Sequence, residues 1–151
     1  MPGKRLKAAL VSSHGGHLTE LLALRDVFNG HETFFVTYEG TTPSGLPHAY
    51  YLQKFHTNPF SFLAVLFKTA RILWKERPDV IFSTGAEIAA PLFFVGKLFG
   101  CKLIYLECSA QVTTPSLTGR LVYPIADRFF VQWEPLARKY GPKAVCKGGL
   151  I

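Results

Sequence analysis

Three short stretches of this chain carry residue types that could do chemistry. In Ser12-Ser13-His14-Gly15-Gly16-His17, two imidazoles flank a glycine pair. Glycines let a backbone approach a ligand closely, and the free N–H groups opening a helix attract an anion such as a phosphate. An imidazole there can move a proton near neutral pH or, when charged, bind phosphate. Ser83-Thr84-Gly85-Ala86-Glu87 repeats the theme with small hydroxyl residues and a glycine, and two such loops on one sheet edge could grip a diphosphate. The third stretch centres on Glu107, which closes an otherwise apolar run and so offers a general base. Each has a plainer alternative. The glycine pair could be a tight connection, Ser83 or Thr84 a helix N-cap, Glu87 first-turn decoration and Glu107 a solvated strand end. Neither glycine loop is the G-x-G-x-x-G dinucleotide fingerprint, and Glu39 after the second strand does not restore that reading.

Positioning these stretches takes alternating strands and helices. Leu6 to Ser13 reads as a strand, and Leu18 to Phe28 as a helix on the spacing of Leu18, Leu21, Leu22, Leu24 and Val27. Strands follow at Thr33 to Tyr38 and, shorter, at Ala49 to Leu52. The loop between them, Glu39 to His48, is rich in turn residues. Pro59 and Pro78 bracket a helix from Phe60 to Glu76. Val80 to Ser83 is a strand, and a helix then runs from the Thr84-Gly85 turn to Phe99, where Gly100 stops it. Lys102 to Glu107 and Arg128 to Gln132 read as strands, Ser116 to Tyr123 and Glu134 to Tyr140 as helices. Nearly continuous apolar strands such as Val80-Ile81-Phe82 and Leu103-Ile104-Tyr105-Leu106 indicate a parallel sheet covered on both faces. The fold class is α/β, Rossmann-like, in which ligands bind beyond the carboxyl ends of the strands. All three stretches fall there.

With 151 residues, 48% of them hydrophobic, the chain is expected to be a single domain, 1–151, with its own core. No stretch reaches the roughly 18 apolar residues of a membrane span. The N-terminus lacks the pattern of a secretory leader, so a cytoplasmic location is expected. Cys101, Cys108 and Cys146 show no metal-ligand spacing, which fits free thiols, no metal and no cofactor. Seventeen Lys and Arg against ten Asp and Glu give a charge of +7, open to nucleic acid, an anionic membrane surface or a phosphorylated ligand. The basic residues are scattered rather than blocked with stacking aromatics, and nucleic acid is not an expected partner. Phe60, Phe62, Phe67 and Trp74 interleave with Lys68, Arg71, Lys75 and Arg77, a composition suited to a headgroup interface and equally to a helix packed on a sheet. Lys147-Gly148-Gly149-Leu150-Ile151 ends in two large apolar residues that could reach a partner or fold back on the core.

Longer strings are more specific. Tyr105-Leu106-Glu107-Cys108-Ser109, Pro115-Ser116-Leu117-Thr118-Gly119-Arg120 and Ala126-Asp127-Arg128-Phe129-Phe130-Val131-Gln132-Trp133 resemble the C-terminal half of the acceptor-side subunits of two-part GT-B glycosyltransferases. Ser13-His14-Gly15-Gly16-His17 with Glu20 resembles that family's N-terminal loop, and Ser83-Thr84-Gly85-Ala86 its second glycine loop. The family includes the recruiting subunit of the N-acetylglucosamine transferase acting on dolichol-linked precursors, and bacterial capsule and exopolysaccharide proteins. A more remote similarity is to the N-terminal domain of the peptidoglycan N-acetylglucosamine transferase, whose glycine loops face an acceptor diphosphate.

The resemblance implies the N-terminal half of a GT-B fold and half of a UDP-sugar-dependent enzyme, inactive without its partner. Such a subunit holds a lipid-diphosphate-linked sugar at the membrane and docks a UDP-sugar-binding catalytic chain. His17 and Glu107 are then the rival catalytic bases, with His17 favoured by the shared Gly-Gly-His order. His14, Gly15, Gly16, Ser83, Thr84, Gly85 and Ser109 become acceptor-binding residues, and Leu150 and Ile151 partner-binding ones. The eukaryotic members' N-terminal anchor is not seen in this sequence, so the chain is expected to be of the bacterial type, peripheral at the inner face of the plasma membrane. Many relatives have Arg two residues after the Ser of the Glu-x-Ser segment, where this chain has Gln111. The competing reading is a non-catalytic scaffold that recruits the transferase to the membrane.

Overall fold

The structure, a computed structural model, describes residues 3–40, 45–55 and 58–150. Its strands are β1 (Lys7–Val11), β2 (Glu32–Tyr38), β3 (Ala49–Leu52), β4 (Val80–Ser83), β5 (Lys102–Leu106), β6 (Arg128–Val131) and β7 (Ala144–Cys146). They form one seven-stranded sheet in the order β3-β2-β1-β4-β5-β6-β7. Every pairing is parallel. The connections carry α1 (Gly16–Ala23), α2 (Pro59–Glu76), α3 (Ala89–Leu98), α4 (Leu117–Val122) and α5 (Glu134–Tyr140).

Local sequence explains most element ends. Asn58 caps α2 by accepting the Phe60 N–H at 2.9 Å, Pro59 occupies the first turn, where a missing N–H does no harm, and Arg77 closes the helix in a left-handed conformation. α1 begins two residues earlier than the apolar spacing predicts and stops at Ala23, with the tighter turn Arg25–Phe28 after it. α3 begins later than expected, because Gly85 (φ 120°) and Ala86 (φ 68°) hold positive backbone angles that no right-handed helix contains. The edge strand β7, absent from the sequence expectation, is only Ala144–Cys146 and lies beside β6.

Two apolar layers sandwich the sheet. Under α2 to α5 lies the larger, with Phe34, Ile81, Leu92, Phe93, Tyr105 and Phe129 all inaccessible to solvent or nearly so. On the other face Leu18 and Leu21 of α1 pack on Leu10, Phe35, Phe82 and Leu106. The register levels the strand ends: Val11 pairs with Ser83, and Ser83 with Tyr105. The loops that leave β1, β4 and β5 therefore emerge side by side. Between β1 and β4 the strand order reverses direction, which is where parallel α/β sheets open a crevice for ligands.

Candidate functional site

The first loop enters α1 through Gly15, whose φ of 81° suits a residue without Cβ. No side chain caps this helix, so its first-turn N–H groups lack a side-chain acceptor and lie at the carboxyl edge of the sheet, where β1 ends. A Cβ on Gly15 or Gly16 would meet nothing within 4 Å, which leaves open space against the backbone.

His17 then locks this loop to the second one. Its Nδ1 lies 3.1 Å from the Thr84 carbonyl, and the Thr84 hydroxyl donates to the His17 carbonyl at 2.6 Å. A carbonyl only accepts, so Nδ1 carries a proton, and the tautomer this selects has its lone pair on Nε2. That tautomer makes Nε2 a proton acceptor. Gly85 is obligatory beside it, because a Cβ there would come within 2.9 Å of His17 Nδ1. His14 lies edge-on to Tyr38, with ring centroids 6.5 Å apart, and its buried Nε2 has no hydrogen-bond partner among the described residues. Burial first, and the Glu87 carboxylate second, push the Tyr38 hydroxyl far above its usual range, so it stays protonated.

The third loop is fixed from both sides. Its Ser109 N–H donates to Glu20 Oε1 at 2.9 Å, and the Ser109 carbonyl accepts the Trp133 indole at 2.7 Å. Glu20 is buried in α1, and its second carboxylate oxygen has no partner among the described residues. Gln132 ties the end of this loop to the C-terminal segment: its amide donates to the Glu107 carbonyl at 3.2 Å and accepts the Leu150 N–H at 2.9 Å.

Three expectations need correction on this geometry. Ser83 and Thr84 are both 0% exposed; Ser83 Oγ accepts the Gly85 N–H at 3.1 Å and Thr84 bonds His17. Their hydroxyls shape the loop rather than face a ligand, which leaves Gly85 and the backbone for that purpose. Glu107 is 1% exposed and surrounded by donors. Oε1 accepts the Cys108 N–H at 3.2 Å and the Tyr105 hydroxyl at 3.3 Å, while Oε2 accepts the Ser116 N–H at 3.3 Å, the Ser116 hydroxyl at 2.8 Å and the Tyr140 hydroxyl. Burial, then the carboxylate itself, raises Tyr140 well above the usual phenol range, which keeps it a donor. A carboxylate so enclosed holds α4 and α5 to β5, and it has no direct path to a reacting hydroxyl. Leu150 packs on the chain's own second apolar layer, so it is no free arm; Ile151 lies outside the described residues.

The structure thus brings the loops that carry His14, Gly15, Gly16, His17, Gly85 and Ser109 to one edge of the sheet. Of the residues that hold them there, Glu20, Gln132 and Trp133 were legible mainly as parts of family strings, and Ser116 also as a helix start. Tyr105 did carry a signal, since a phenol in an apolar run needs a partner for its hydroxyl. Among the described residues no group of three His, Cys, Asp or Glu side chains is placed to hold a metal ion.

Comparison with known proteins places this geometry in context. The profile of the "Oligosaccharide biosynthesis protein Alg14 like" family matches residues 49–150. The UDP-N-acetylglucosamine transferase subunit ALG14 of Candida albicans is 40% identical over 96 residues, covering 60% of this chain and 42% of the yeast protein. The human ALG14 subunit aligns over 99% of this chain and 85% of its own length at 24% identity. The chain spans about half, or less, of the length of the Candida albicans and Schizosaccharomyces pombe ALG14 subunits it matches. Among solved structures, Acinetobacter baumannii MurG superposes with a TM-score of 0.76 at 15% identity, over 93% of this chain and 45% of MurG. The UDP-N-acetylglucosamine 2-epimerase from Rickettsia bellii gives the same TM-score and identity over 97% of this chain and 46% of the epimerase. At such identities the likeness is one of fold, the Rossmann-like half of a GT-B architecture.

Proposed function

Since the chain belongs to the Alg14-like family of oligosaccharide biosynthesis proteins, we propose that it is the acceptor-side subunit of a heteromeric, UDP-sugar-dependent glycosyltransferase. The observation that carries this reading is the clamp between His17 and Thr84 at the β1/β4 switch point. It sets an open glycine turn, the uncapped start of α1 and an oriented imidazole around one crevice. The acceptor is a sugar on a lipid diphosphate, whose charge is met by the backbone N–H groups of Gly16 and His17 and the α1 dipole. A second chain binds the UDP-sugar and closes the crevice from above.

In the reaction the acceptor hydroxyl oxygen attacks the donor's anomeric carbon while the bond from that carbon to the UDP oxygen breaks. His17 Nε2 takes the hydroxyl proton, and the resulting imidazolium is stabilised by its Nδ1–H bond to the Thr84 carbonyl. UDP leaves from the partner's side of the crevice.

The protein works at the membrane surface, on the cytoplasmic leaflet. No helix of the described structure is long and apolar enough to cross a membrane; the membrane-facing surface in this reading is the outer surface of α2. There Phe60 (78% exposed), Leu63, Phe67 and Trp74 stand among Lys68, Arg71 and Lys75. Phe62 turns inward instead, packing on Phe55 with ring centroids 5.3 Å apart. The test is transfer from a panel of UDP-sugars, beginning with UDP-N-acetylglucosamine, to a lipid-diphosphate sugar. Product is expected only when a candidate donor-binding partner is present. Turnover by this chain alone would overturn the division of labour, and a partner active without it would leave a scaffold.

A further inference from the structure

A second polar cavity lies on the helical face of the sheet, away from the glycine loops. It has a volume of about 410 Å³, lies between α4 and α5 under the loop after β5, and is lined by Thr113, Thr114, Arg120, Tyr123, Lys139 and Tyr140. No carboxylate lines it. Neither Arg120 nor Lys139 makes an ion pair among the described residues, although both are exposed and share one hollow. A third cation stands behind the wall: Lys143 Nζ bonds the Ala126 carbonyl at 3.0 Å and lies 4.9 Å from the centre of the Tyr123 ring. The Glu107 carboxylate sits beneath the floor and accepts the Ser116 and Tyr140 hydroxyls.

Two unpaired cations converging on a hollow with threonine hydroxyls form a receptor for an anion with several oxygens, and a guanidinium matches phosphate geometry in particular. What surrounds the hollow narrows the choice. Leu117, one helical turn from Arg120, is 75% exposed and Leu121 is 48% exposed. A phosphate site bordered by bare leucines fits a phosphate carried on an apolar chain.

We propose that the α4–α5 cavity binds a phosphate group, held by Arg120 and Lys139, with Leu117 and Leu121 in contact with the lipid that bears it. Only the lipid half of this proposal rests on the membrane-surface reading above; the phosphate half stands without it. The cavity is separate from the crevice at the glycine loops, and occupying it fixes how the domain sits on a bilayer.

The experiment compares the unaltered protein with two double variants that remove equal charge: R120Q/K139Q in the cavity and K4Q/R5Q at the N-terminus. Binding to phosphatidylglycerol vesicles should weaken about tenfold in the first and by less than about threefold in the second, since charge-assisted phosphate contacts are local and general attraction is not. In parallel, pyrophosphate is titrated against labelled protein. It should shift the Thr113, Thr114 and Arg120 amides, and not in R120Q/K139Q. A vesicle effect confined to the cavity pair assigns the site to a lipid headgroup, and pyrophosphate shifts alone assign it to a free phosphate. If both pairs weaken vesicle binding equally and pyrophosphate moves none of these amides, the proposal is wrong. Pyrophosphate shifts in a protein that ignores vesicles altogether would sink the membrane-surface reading and leave the cavity standing.

Discussion

Replacing Glu107 with Gln separates a structural carboxylate from a catalytic one. The change keeps the shape and turns one oxygen into an NH2 group. Hydroxyl partners such as Ser116, Tyr105 and Tyr140 can rotate to accept from that group, but the backbone N–H groups cannot. Cys108 N–H faces Oε1 and Ser116 N–H faces Oε2, so either orientation of the amide sets one buried N–H against another donor. Losing a hydrogen bond to a charged group and leaving its donor unsatisfied costs about 2–3 kcal/mol. In a domain of this size that lowers Tm by about 5–10 °C. Thermal unfolding gives the shift, and transfer kinetics of the reconstituted complex, measured well below Tm, give kcat. Stability should fall while kcat stays within about threefold, because a buried tie between α4, α5 and β5 touches no reacting atom. An unchanged Tm with a loss of about a hundredfold in kcat would refute the reasoning and make Glu107 the base.

The complementary variant, His17→Ala, should lower kcat by about 10²–10⁴ with partner binding retained; a loss below about threefold would remove Nε2 from the chemistry. Glu76 supplies a pH signature. Burial would raise its pKa, but hydrogen bonds from Lys7, Tyr50 and His48 outweigh that and hold it at about 2, below the ordinary 4.5. Its contribution, about 3 kcal/mol, is therefore complete above pH 4.5 and lost as pH falls toward 2, and denaturant titrations of Glu76→Gln should show that slope flattened. Replacing Phe60, Leu63 and Phe67 by Ser should weaken flotation with anionic liposomes without changing Tm, whereas Phe62→Ser should lower Tm through the lost Phe55 contact. Leu150→Ala should cost about 1–2 kcal/mol of stability, read in urea, and leave partner affinity unchanged if the side chain serves only its own core.

Local pattern determined much of this protein. Apolar runs bounded by turn residues located β1 to β6, because a strand buried on both faces must be apolar along its length. Asn58-Pro59 and Ser116 marked helix starts because the capping group is a near neighbour of the N–H groups it satisfies. The glycine turns marked the candidate site because positive φ and open backbone are properties of the residue itself. What escaped that reading spans long distances in the chain. β7 has too few residues to show a period and exists as a strand only because β6 offers an edge. His17 meets Thr84 across 67 residues, Glu20 meets Ser109 across 89, and Tyr140 meets Glu107 across 33. Each meeting depends on strand order: β1 must lie against β4 and β4 against β5 for the first two, and β5 against β6 for the third. Burial is decided at the same level. Glu107 and Thr84 are polar residues at strand ends, where sequence alone allows either solvent or ligand. The helices and loops closing over them turn both inward, and a polar group without water must find its partners within the fold.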